Sequence, residues 1–189
     1  MPRKPRLTVK LLDKDHGYRR VATDLGGVTE ITLGVFGAKA ALPHPGSRGL
    51  STGSIAFFHE TGMGGMQQRS FIRAWMDKHT SMMVDDAAWA MKAVITGVSR
   101  KEVSAHIAKK WVSQMQAWIR GGNVRPENSP ATVERKGHSI PMIGLTQTVV
   151  NAIGYRLKMP TTKSMRGTVK NAATRALNGI MSFNYDSKE

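Results

Sequence analysis

Apolar positions alternate with polar ones near both ends of the chain and recur at helical spacing between. Leu7-Thr8-Val9-Lys10-Leu11 alternates and reads as a short strand. Asp13 to Leu25 fits a short helix closed by Gly26-Gly27. Thr29 to Phe36 is a second strand, with Ile31, Leu33 and Val35 on one face and Thr32, Gly34 and Phe36 on the other. From Gly37 to Gly53 two prolines and four glycines predict an exposed loop or irregular hairpin, its loop proper at 38–53. Ser54 to Thr61 fits either a strand through Ile55–Phe58 or a helical turn stopped by Gly62.

Helical spacing takes over at Phe71. Phe71, Trp75 and Met82 form one stripe, with Ile72, Met76 and Met83 beside it, and a second helical stretch covers Asp86 to Ile95. The longest helix follows. Ser99-Arg100-Lys101-Glu102 has the spacing of a capping box, in which the serine hydroxyl accepts from the N–H three residues on and the glutamate reaches back. Val103, Ile107, Trp111, Met115 and Trp118 then recur at three- and four-residue steps, widened by Ala108, Val112 and Ile119, until Gly121-Gly122 supplies a left-handed stop. Lys101, Lys109, Lys110, Gln114 and Gln116 occupy the opposite face. Ser129-Pro130 starts a further short helix, because proline suits the first helical position after a serine cap, and Lys136-Gly137 reads as its end. Gln147 to Leu157 holds a helical turn and then a strand in which Ile153, Tyr155 and Leu157 alternate.

These elements predict an α+β fold: a small, mostly antiparallel sheet packed against a long amphipathic helix, with an extended loop and a C-terminal extension. At 189 residues the chain holds one full domain, placed at residues 1–158. Residues 159–189 form a polar, basic extension whose weak pattern of Val169, Ala173 and Leu177 suits a helix that orders against a partner.

Charge changes the picture more than composition does. Lys and Arg number 28 against 13 Asp and Glu, a formal net charge of +15. That balance attracts phosphate, anionic lipid or an acidic protein face. Arg3, Lys4 and Arg6 crowd the start, and Arg156, Lys158, Lys163, Arg166, Lys170 and Arg175 mark the last quarter. These nine are the candidate interface residues. The charges are interspersed, the pattern of a solvated surface, so a basic nucleic-acid-binding protein stands as the alternative reading. The absence of cysteine excludes disulfides and thiolate metal sites. No signal sequence is evident, and no window approaches the apolar length of a membrane span.

Three local motifs invite chemistry. His59-Glu60 lacks a second histidine one helical turn on: position 63 is Met, and glycines follow. Gly49-Leu50-Ser51-Thr52-Gly53 has the spacing of a nucleophile elbow, but a loop stands where that chemistry requires a buried strand. Gly62 to Gly65 lacks the Lys-Ser/Thr of a phosphate-binding loop. The histidines at 16, 44, 79, 106 and 138 have no ligand spacing. No catalytic, cofactor-binding or metal-binding set is therefore assigned, and no cofactor is expected. A charge pair between Glu60 and Arg69 or Arg73 is expected to fix the loop between them, with Phe71 anchoring the next helix in the core.

The order of elements carries more than any single motif. An alternating strand ends in Leu33-Gly34-Val35-Phe36-Gly37. Ala56-x-x-His59-Glu60-x-Gly62 follows, then Arg69-x-Phe71-Ile72 opening a helix, a long amphipathic helix ending at glycine, Pro130-x-Thr132-x-x-x-Lys136-Gly137, and Pro141-Met142-Ile143 before a last strand. This order, across about residues 28–158, resembles the virion morphogenesis family of tailed phages, whose members act as neck, tail-completion or minor tail proteins. Ser70 stands where the family has proline, and Met142 where it has leucine. The resemblance implies a non-enzymatic structural protein of the virion, made in the bacterial cytoplasm and placed at the head–tail junction. It implies a sixfold or twelvefold homo-oligomeric ring. Its partners would be portal or adaptor proteins on one side and tail tube or tail terminator proteins on the other. Genomic DNA in the channel would make non-specific contact.

Overall fold

The computed structural model describes residues 18–160, apart from 27, 48, 145 and 146. The strand expected at Leu7–Leu11 and the extension beyond Pro160 lie outside the described residues. So do the candidate interface residues Arg3, Lys4, Arg6, Lys163, Arg166, Lys170 and Arg175.

The described elements run α1 (Tyr18–Leu25), β1 (Glu30–Val35), α2 (Gly37–Ala41), α3 (Thr52–Thr61), α4 (Ile72–Lys78), α5 (Thr80–Ile95), α6 (Arg100–Arg120), α7 (Pro130–Lys136), α8 (Thr148–Asn151) and β2 (Ile153–Lys158). The fold is α+β. β1 and β2 pair antiparallel, and the register sets Ile31 opposite Leu157, Leu33 opposite Tyr155 and Val35 opposite Ile153. These residues are apolar or aromatic and share one face, as the period-two pattern requires. That face lies on α6.

α6 is the spine. Val103, Ile107, Ala108, Trp111, Met115 and Ile119 are buried along it, and Met115 and Ile119 are fully enclosed. The core is completed by Phe71, Trp75, Val94, Val149, Val150 and Ile153. Enclosing one such large side chain stabilises the fold by roughly 1.5–3 kcal/mol. Asp86 joins α5 to α6: its carboxylate accepts from Lys110 Nζ at 2.6 Å and Trp111 Nε1 at 2.8 Å. Burial opposes ionisation there, but these two bonds win and hold the carboxyl below its ordinary range.

Several sequence expectations need correction. The 37–53 stretch is only partly loop. Residues 37–41 form α2, and an antiparallel bridge between Pro43 and Ser51 closes the rest as an irregular hairpin. Of the two alternatives for Ser54–Thr61 the helical one holds: residues 52–61 are helix, and Gly62 ends α3 at φ 76°, where glycine alone avoids a steric cost. The helical run from Phe71 breaks at His79, which resets the phase. Phe71 and Trp75 are fully buried, while Met76 is exposed. The second helix begins at Thr80 rather than Asp86. Ser99 is the N-cap of α6 in extended backbone, but its side chain makes no capping bond, so the capping box is not formed.

Candidate functional site

The two motif-bearing stretches, residues 54–73 and 118–143, meet in space. Arg69 makes the joint. Its Nε donates to the Pro126 carbonyl at 3.0 Å, and its Nη2 to the Glu127 carbonyl and Gln67 Oε1, both at 3.3 Å. Its backbone N–H donates to the His59 carbonyl at 2.6 Å.

Glu60 does not form the expected pair with Arg69 or Arg73. Its carboxylate caps the start of α4 instead. It accepts from Ser70 Oγ at 2.7 Å and from the backbone N–H groups of Phe71, Ile72 and Arg73 at 2.8, 3.0 and 3.1 Å. The open N–H groups of a helix start are the strongest neutral competitors for a carboxylate, because the helix dipole and three donors converge there. Burial raises the carboxyl's pKa, but the bonds from Ile72, Ser70, Arg73 and Phe71 outweigh it and set the net shift downward. Phe71 is fully buried at the head of α4, as expected.

The remaining motif residues lie around α7. Pro130 opens it after Ser129, whose hydroxyl lies 3.0 Å from that of Thr132. Gly137 closes it at φ 78°. Pro141 is fully enclosed. Lys136 Nζ reaches the Ile143 carbonyl at 3.5 Å.

A cavity of about 720 Å³ opens between α3, α7, α8 and the 43–47 turn. His59, Lys136, Arg135, His138 and His44 line it. Among the described residues no carboxylate does. Burial lowers His59 to about 4, helped by the charges of Arg69, Lys136 and His44. Burial also lowers Lys136, with Arg135 and Arg69 adding to the effect. His44 Nδ1 lies 2.9 Å from Thr148 Oγ1, and burial with the Lys136 charge lowers its pKa.

The motifs that invited chemistry have structural partners. Ser51 caps α3, accepting from the Ser54 N–H at 3.1 Å, with its Oγ 2.9 Å from Ser54 Oγ. Gly64 and Gly65 both take left-handed backbone in the connector to α4. Among the described residues no group of three His, Cys, Asp or Glu could hold a metal ion. No helix among them is long and apolar enough to cross a membrane.

Arg156 and Lys158, the candidate interface residues within the described part, sit on β2 with local partners. The Arg156 guanidinium lies 4.4 Å above the Phe36 ring, and Lys158 pairs with Glu30 at 3.5 Å.

Sequence reasoning missed a second surface. On α5, Val84, Ala87, Ala88, Met91 and Ile95 are exposed, and their spacing puts them on one side of the helix. Val84 is 62% exposed, Met91 55% and Ile95 52%. Ala87 and Met91 also border an apolar groove of about 540 Å³ walled by Leu25, Ile31, Val94 and Val103. The signal was present in the order of residues: α5 carries apolar side chains around most of its circumference. Compared with known proteins, the chain matches no protein-family model, no curated protein and no solved structure.

Proposed function

We propose that the protein is a structural subunit of a tailed-phage head–tail junction, a neck or tail-completion protein that assembles into a closed homo-oligomeric ring. The observation that carries the reading is the exposed apolar stripe of α5, Val84-Ala88-Met91-Ile95, running beside the groove at Leu25 and Ile31. A stripe of this kind beside an apolar groove favours burial against protein. In a ring this surface is buried against a different face of the next subunit, a heterologous contact that closes on rotation.

The order of sequence motifs supports the assignment to phage virions. Their geometry is in keeping with it: Glu60 and Arg69 work as architecture, one starting a helix and the other tying two distant segments together. The net charge of +15 suits a subunit whose ring admits DNA through its bore, with non-specific phosphate contact. Portal or adaptor proteins and tail tube or terminator proteins are the neighbours on either side.

Electron microscopy of a lysate made without this protein tests the reading. Filled heads and separate tails are the expected products. Complete, infectious particles in that lysate would reject it.

A further inference from the structure

Four features of the His59 cavity share one explanation. First, its lining sets the cations Arg135 and Lys136 beside three imidazoles, with no carboxylate among the described residues to offset them. Second, the Nδ1 atoms of His59 and His138 are buried and have no hydrogen-bond partner. Leaving such a group unsatisfied costs about 1–3 kcal/mol. Third, among the described residues the non-glycines with positive φ are Met142 at 62° and Gln147 at 47°, and both line this cavity. Left-handed backbone at such residues concentrates where a binding site over-determines it. Fourth, burial disfavours the charged forms of His59 and Lys136, and the neighbouring cations add to the effect. A bound anion offsets the charge crowding, gives the unpaired Nδ1 atoms an acceptor and favours the charged forms that burial opposes.

We propose that the cavity binds a phosphate group, with Arg135 and Lys136 as its fixed cations and His44, His59 and His138 as imidazole donors. Phosphate fits better than carboxylate. Two permanent charges match a dianion, and tetrahedral oxygens accept from donors on several walls. Ile55, Met66 and Met142 supply an apolar wall for the organic part of a phosphate ester. The space is too small for a nucleic-acid duplex, so the ligand is a small phosphate-bearing molecule or the free ion. This inference does not depend on the ring reading, and either can fail alone.

Calorimetric titration of the full chain with inorganic phosphate, sulfate and acetate tests it. Phosphate and sulfate are expected to bind saturably, one per chain. Lys136→Ala and Arg135→Ala, each checked for folding by circular dichroism, weaken both by about tenfold or more. Lys101→Ala, on the exposed face of α6, leaves both unchanged. Sulfate keeps its charge across the range, so its affinity reports the protein alone. It should rise severalfold from about pH 7 to about pH 5.5, as binding draws protons onto the imidazoles in the field of Arg69, Arg135 and Lys136. No saturable binding would overturn the proposal. So would equal losses in Lys101→Ala and Lys136→Ala, which would mark general charge attraction. Acetate binding as tightly as phosphate would overturn the assignment to phosphate.

Discussion

α5 and α6 lie side by side yet use their apolar residues in opposite ways. α6 buries its apolar stripe from Val103 to Ile119, with Val112 and Trp118 half-covered at its margin, and turns Lys101, Glu102, His106 and Lys109 outward. α5 buries only Val94 fully, keeps Met82, Met83, Ala90 and Ala93 half-covered against the core, and leaves Val84, Met91 and Ile95 in solvent. A helix that serves only its own domain has no use for a second apolar stripe, because exposing it forgoes roughly 25 cal/mol for each Å² left in water. The difference separates residues that hold the domain together from residues free to hold something else.

Substitutions sharpen that contrast. Met115→Ala or Trp75→Ala, in the enclosed core, should destabilise the domain by about 3–5 kcal/mol, read as a lowered thermal midpoint. A loss below about 1 kcal/mol at Met115 would mean that α6 is not the spine of the fold. The next effect is one of pH. The folded protein binds a proton at His59 more weakly than the unfolded chain does, so the unfolded state holds more protons between the ordinary value of 6.5 and about 4. Stability is therefore full above that window and falls as pH drops through it, by up to about 3 kcal/mol. His59→Gln should flatten the slope in denaturant titrations across that range. A parallel slope in the variant would assign the titration elsewhere.

Glu60→Gln should cost about 1–2 kcal/mol by weakening the cap on α4. Its depressed folded pKa contributes stability above the ordinary value of 4.5, lost as pH falls through the lower folded value. The variant should thus lose the acid part of the stability curve and keep the His59 part. Hydrogen exchange at Phe71, Ile72 and Arg73 would localise the effect. The smallest change belongs to Met91→Asp with Ile95→Asp: neither side chain is in the core, so the isolated subunit should stay within about 0.5 kcal/mol of the parent subunit and lose only the stability that assembly adds.

The sequence made the regular elements legible where one physical signal dominated. Gly62, Gly122 and Gly137 end or follow helices in left-handed backbone, and the alternation at Ile31, Leu33 and Val35 set the face of the sheet. It misled where two signals competed. The sequence offered Glu60 the cations Arg69 and Arg73, but the backbone N–H groups of Phe71, Ile72 and Arg73 won its carboxylate. His79 interrupted a helical period that composition alone would run through. The cationic cavity was not legible, since His44, His59 and Arg135 come from segments far apart in the chain and only the fold brings them together. The free stripe on α5 was written in the sequence, yet periodicity cannot say which of two apolar faces a neighbouring helix will cover.

The mass of the purified protein in solution, by sedimentation or mass photometry, is the most direct test of the central claim. The parent chain should run as a closed oligomer of six or twelve subunits, and the Met91→Asp, Ile95→Asp chain as a folded monomer. A parent that stays monomeric, or a double variant that assembles as the parent does, would contradict the account.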